Sequence, residues 1–224
     1  MKKLVSIVTC GLLALTGTSA YAQFGGLGGL TKGVTGGGDG GGDIEGQVKS
    51  FMDKSGEINR LVFTSLKAIN AAYATDEEAK KIAEDVKAFN AITDPKEQAA
   101  KVAEAQKTET AKLEELTKSK DAVEKTKKLD SAKQKQVANS VGNFLIAALR
   151  AAELSKSGQS IVQGVSSNPM NIGKVVPVKD ALPILADAAS TSTKVLPGYI
   201  KILQGANVSA PKVTAESKPQ EVKF

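Results

Sequence analysis

The 224-residue chain contains no histidine and no tryptophan, and its single cysteine is Cys10. Without histidine there is no imidazole general base, no Ser-His-Asp triad and no H-E-x-x-H zinc motif. One cysteine cannot close an internal disulfide or form a C-x-x-C pair. Carboxylate chemistry, lysine chemistry and oxygen-only metal ligation stay open. The adjacent acids Glu77-Glu78, Glu84-Asp85 and Glu114-Glu115 have lysines three or four residues away, the pattern of a solvated helix face. Two catalytic carboxylates would have to face each other across a cleft, which sequence neighbours on a helix do not do. No catalytic, cofactor-binding or metal-binding residues are therefore assigned from the sequence.

Long apolar runs are also missing beyond the first residues. Lys2 and Lys3 precede an apolar stretch from Leu4 to Leu15, and Thr16 to Ala22 is a small-residue segment ending in Ala20-Tyr21-Ala22. This order predicts a secretory signal peptide over residues 1–22, cleaved after Ala22. Cys10 raises a lipoprotein alternative, but it follows Thr9 and apolar sequence continues beyond it. No later stretch approaches the roughly 20 apolar residues of a membrane span, so none is expected in the mature chain. The expected location is periplasmic or secreted. Loss of Lys2 and Lys3 would leave 28 basic against 24 acidic residues, a mild excess that does not by itself call for a polyanionic partner.

Glycine is concentrated rather than scarce: residues 25–46 hold 12 of them, which cannot pack a core and lose the most backbone entropy on ordering. Residues 23–43 thus read as a flexible arm. Asp39-Gly40-Gly41-Gly42-Asp43 lacks the spacing of a calcium loop, and no G-K-[ST] follows that would cradle phosphate. Within the arm, Phe24, Leu27 and Leu30 recur every third residue, which places them along one side of an extended backbone. They are candidate partner-binding residues.

From Ile44 onward the pattern is helical. Val48, Phe51, Ser55, Ile58, Val62, Ser65, Ile69 and Ala72 trace one stripe at steps of three and four. Thr75 with Glu78 is a capping-box signature. Asp94-Pro95-Lys96-Glu97 combines an acidic cap, proline at the first helical position and glutamate at the third. The helix it opens carries Ala99, Val102, Gln106, Glu109, Leu113 and Leu116, a stripe with a polar middle. Asp130 or Ser131 can cap a long helix whose Phe144 to Ala152 portion, apolar apart from Arg150, is expected at the centre. Pro197 interrupts a later apolar-periodic run and should break or kink it. From Ser209 the chain is rich in Pro, Lys, Glu and Ser and reads as disordered.

The segment Lys118 to Lys135 holds seven lysines against three acids. Lys118, Lys120, Lys125, Lys127 and Lys128 are candidate contacts to an anionic surface, which allows peripheral membrane contact. No aromatics interleave them, so nucleic acid is not an expected partner. The sequence thus predicts an all-α chain: a signal peptide at 1–22, a Gly-rich arm at 23–43, an antiparallel bundle of five or six helices at 44–208, and a disordered tail at 209–224. The leading functional expectation is an exported non-catalytic binding protein of the bacterial cell envelope, an adaptor or scaffold whose partner is an envelope protein or lipid. The alternative is a periplasmic carrier of an apolar ligand such as a lipid. A carboxylate- or lysine-based enzyme ranks third.

Overall fold

A computed structural model describes residues 44–165 and 169–224. The expectations for the signal peptide and for Phe24, Leu27 and Leu30 fall outside the described residues. Among those described, 83% are helical and no strand occurs. The helices are α1 (Ile44–Tyr73), α2 (Asp76–Ala91), α3 (Pro95–Lys118), α4 (Ala122–Lys128), α5 (Ser131–Gly164), the single turn α6 (Pro169–Ile172), and α7 (Val176–Gly205), which a 3-10 turn at Gly173–Val175 leads into.

Local chemistry sets most of the boundaries. At the start of α2, the Glu78 backbone N–H donates to Thr75 Oγ1 at 3.4 Å, and the Thr75 N–H donates to Glu78 Oε2 at 3.0 Å. The capping box is complete. Asp94 Oδ1 accepts from the Lys96 and Glu97 N–H groups at 2.7 and 3.4 Å, with Pro95 in the first turn of α3. Asp130 caps α5 by accepting from the Lys133 N–H at 2.8 Å. Asp130→Ala should therefore cost about 1 kcal/mol of stability, read as a drop of about 2–4 °C in Tm.

The core is assembled on α5, which packs most extensively on α1 and α7. Phe144, Ala147, Ala148 and Ala151 are buried, as is the α1 stripe from Phe51 to Ala72. Leu149 and Ala152, by contrast, face outward. Two sequence expectations differ from the structure. Of the break or kink expected at Pro197, the break is absent: α7 runs as one helix through Pro183 and Pro197. Val195, Leu196, Tyr199, Ile202 and Leu203 are buried on both sides of Pro197, so tertiary packing outweighs the roughly 3 kcal/mol helix penalty of an internal proline.

The second difference is the C-terminal tail. Helix α7 ends in a left-handed cap at Asn207, φ 60°, with the Val208 N–H donating back to Leu203 O at 2.8 Å, the geometry of a Schellman motif. The residues beyond are draped over α5 rather than disordered. Arg150 donates from Nε to Ala215 O at 2.7 Å and from Nη2 to Ser217 O at 3.1 Å. Asn143 exchanges two bonds with the Gln220 backbone, each 2.7 Å. The tail's composition is that of a chain too polar to make a core, but α5 satisfies its main-chain groups directly, and composition does not register that.

Candidate functional site

Three features of the surface and near-surface can be weighed as sites. The first is a groove of about 680 Å³ with Met52, Pro95, Ala99, Pro177 and Ala181 among its lining residues. Its position follows from two helix starts. Pro95 opens α3 and Pro177 lies in the first turn of α7. Prolines at these positions remove N–H groups that would otherwise need a partner, so both ends present apolar rings. Met52 comes from the third turn of α1, and its flexible thioether suits an irregular contact. Asp94, Lys96 and Asp180 add charge to the lining. Leading into α7, Met170, Ile172 and Val176 are 88%, 43% and 45% exposed, an apolar run that ends beside Pro177. Lys174 Nζ lies 2.8 Å from Glu45 Oε1, which ties the beginning of α1 to this same segment.

The second feature is an ion cluster between α1, α2 and α3. Lys67 Nζ lies 2.6 Å from Asp85 Oδ2 and 3.0 Å from Glu109 Oε1. Asn70 Nδ2 donates to Glu109 Oε2 at 2.7 Å, and Lys112 Nζ is 3.3 Å from the same oxygen. The ammonium sits 5.5 Å above the Phe63 ring, itself stacked on Phe89 at 3.9 Å. A pocket of about 80 Å³ adjoins it. Burial alone would push the Lys67 pKa down, but the hydrogen bonds to Asp85 and Glu109 outweigh it and the net shift is upward. A nucleophilic lysine needs the opposite shift, so the arrangement holds a paired ammonium rather than a reactive amine. The polar middle of the α3 stripe signalled Glu109 in the sequence; nothing there singled out Lys67 or Asp85 as its company.

The third feature is the lysine segment. Lys118 ends α3, Lys120 lies in the turn before α4, and Lys125, Lys127 and Lys128 are in α4; much of the charge is locally matched. Lys118 pairs with Glu114 at 3.5 Å, Lys125 with Asp121 at 3.2 Å and Lys127 with Glu124 at 2.8 Å. Lys120 and Lys128 are both exposed. Exposed pairs of this kind contribute about 0–1 kcal/mol each, and they offset part of the charge that the segment presents. Among the described residues, no group of three or more Asp, Glu, His or Cys is placed to hold a metal ion. No helix among them is long and apolar enough to cross a membrane.

Tyr199 adds a diagnostic. Its ring is wholly buried and its hydroxyl has no hydrogen-bond partner. Burial, with a smaller effect from Tyr73, pushes its pKa up. An unpaired buried hydroxyl is unfavourable, so Tyr199→Phe should leave Tm unchanged or raise it by a few degrees, equivalent to about 1 kcal/mol. A fall in Tm would instead reveal a polar group that the hydroxyl serves. Comparison with known protein families, curated proteins and solved structures finds no match for this chain.

Proposed function

We propose that the chain is an exported, non-catalytic helical-bundle protein of the bacterial cell envelope, an adaptor that docks an apolar segment of a partner protein. The observation that carries this reading is the groove beside Met52, Ala99 and Ala181, with Met170, Ile172 and Val176 exposed in the segment that leads in sequence to Pro177. Monomeric proteins seldom leave contiguous apolar surface of this kind uncovered, and such surface marks interaction sites. Phe24, Leu27 and Leu30, candidate partner contacts by their spacing in the sequence, lie outside the described residues. Export follows from the predicted signal peptide.

The second reading, a carrier of an apolar ligand, draws on the volume of the groove, which falls within the roughly 300–1,000 Å³ of small-molecule sites. Phe144, Ala147 and Ala151 are packed into the core, so a carrier would use the groove and not the centre of α5.

One experiment separates the readings. The mature protein and its Ala99→Arg variant, changed at a partly buried lining residue, are incubated with envelope extract, and bound proteins and lipids are both identified. A protein captured by the wild type and lost on Ala99→Arg supports the adaptor. A lipid that behaves so transfers the function to the carrier. Identical captures by the two chains overturn both.

A further inference from the structure

We propose that the groove between Met52, Pro95, Ala99, Pro177 and Ala181 is filled in the free mature chain by residues 23–30 of the same chain, which seat Phe24, Leu27 and Leu30 there and must leave before a partner can enter. The proposal rests on reading the groove as a docking site for an apolar segment; the identity of the partner does not enter it.

Reach favours this occupant. Thirteen residues, 31–43, separate Leu30 from the start of α1, and seven of them are glycine. A chain of that length and composition spans about 20 Å on average. Met52 falls within that distance, eight residues into α1, or about 12 Å along the helix. Lys174, three residues before Pro177, pairs with Glu45 at 2.8 Å, so α1 begins beside the α7 wall of the groove. A tether matched to its span holds its ligand at a local concentration of about 1 mM. That favours the chain's own segment over any free segment of similar chemistry.

Chemistry favours it as well. Phe24, Leu27 and Leu30 recur every third residue, so an extended backbone would present all three to one wall. The glycine pairs between them carry no side chain that would hold that backbone away. The groove is mostly apolar, and its charged lining residues are Asp94 and Asp180 against a single lysine, Lys96. Among residues 23–33 the only charged side chain is Lys32, and cleavage after Ala22 would add the α-ammonium of Gln23. Acids appear only from Asp39 onward, on the tether. A cationic apolar segment thus meets an acidic apolar groove.

The test uses the full mature chain and, as probe, a labelled peptide of residues 23–33. In the stripped chain, Phe24→Ser, Leu27→Ser and Leu30→Ser remove the apolar groups of the arm and leave every described helix unaltered. A probe that binds the stripped chain with a Kd of about 100 µM should bind the wild type about tenfold more weakly, because the intact arm competes at about 1 mM. Ala99→Arg added to the stripped chain should abolish probe binding. A probe carrying Lys32→Glu, which leaves the protein itself unchanged, should bind the stripped chain about threefold more weakly, as one exposed charge pair allows. Equal binding to the wild type and the stripped chain, no binding to the stripped chain, or binding unaffected by Ala99→Arg or by Lys32→Glu overturns the proposal. A wild type that dimerises with rising concentration by trading arms would assign the groove to a second copy and overturn occupancy within one chain. The adaptor reading fails separately: envelope captures unchanged by Ala99→Arg would remove it, while a tenfold difference in probe binding would still place the arm in the groove.

Discussion

Replacing Gly158 with valine should destabilise the protein by about 3 kcal/mol, a loss of roughly 6–12 °C in Tm. Glycine inside a helix ordinarily weakens it by about 1 kcal/mol relative to alanine, so a larger residue in the middle of α5 would be expected to help. Packing reverses that expectation. A Cβ at residue 158 would lie 2.6 Å from Phe51 Cε2 and 2.9 Å from Leu182 Cδ2. Phe51 is wholly buried in the core and belongs to α1, while Leu182 belongs to α7. Gly158 is thus the point where both neighbours close on α5; Leu182 is only partly buried and can shift, but Phe51 is enclosed and its ring has little room to yield. Alanine there gains helix propensity and loses to overpacking, for a net cost of about 0–2 kcal/mol. Valine adds two methyl groups and a stiff χ1 with nothing further to gain. Gly164 on the same helix is the control, because a Cβ there meets nothing within 4 Å. Gly164→Ala should be neutral or slightly stabilising. Thermal unfolding followed by circular dichroism checks both, and similar effects at the two positions would contradict this account of the packing.

Gly158 illustrates what the sequence could and could not disclose. Features decided within one or two turns were legible in it. The Thr75–Glu78 box, the Asp94-Pro95 start and the buried face of α1 all depend on residues a few positions apart. The polar middle of α3 was also visible, as Gln106 and Glu109 on an otherwise apolar stripe. Its meaning depends on Lys67, 42 residues away, and no periodicity carries that distance. The same limit explains the tail. Its residues resemble disordered sequence because they offer almost no apolar surface, yet Asn143 and Arg150 hold main-chain groups that every sequence possesses. At Pro197 the break that the local rule allows is absent, and Tyr199 and Leu203 are buried beyond it. The groove was legible only at Pro95, which announces a helix start; nothing in the sequence marks Pro177 as the start of α7 or brings it beside Pro95.

The ion cluster gives the second large effect. Lys67→Met should destabilise the protein by about 2–3 kcal/mol. Removing one member of a buried pair costs about 3–5 kcal/mol, because the other charge is left uncompensated. Here Glu109, with its side chain 5% exposed, would keep Asn70 and Lys112, which places the expected loss below that range. Asp85, 44% exposed, can be solvated and adds little. Glu109→Leu alone strands Lys67 with Asp85 and should cost about 1–2 kcal/mol by the same reasoning. The double variant Lys67→Met/Glu109→Leu should recover much of both losses, since well-packed apolar side chains replace a buried pair at little or no cost. A coupling of about 1–3 kcal/mol in the double-mutant cycle is the expected signature. The pH dependence carries a definite sign. The Lys67 pKa is raised above its ordinary 10.5 in the folded chain, so the folded state holds this proton more tightly than the unfolded state does. The stabilisation is complete below pH 10.5 and is lost as pH rises through the higher folded value. Chemical denaturation across that alkaline range should show a steeper loss for the wild type than for Lys67→Met. Parallel profiles would mean that Lys67 contributes no net pairing energy, and a Lys67→Met variant more stable than the wild type at neutral pH would show that the cluster is maintained at the expense of the fold.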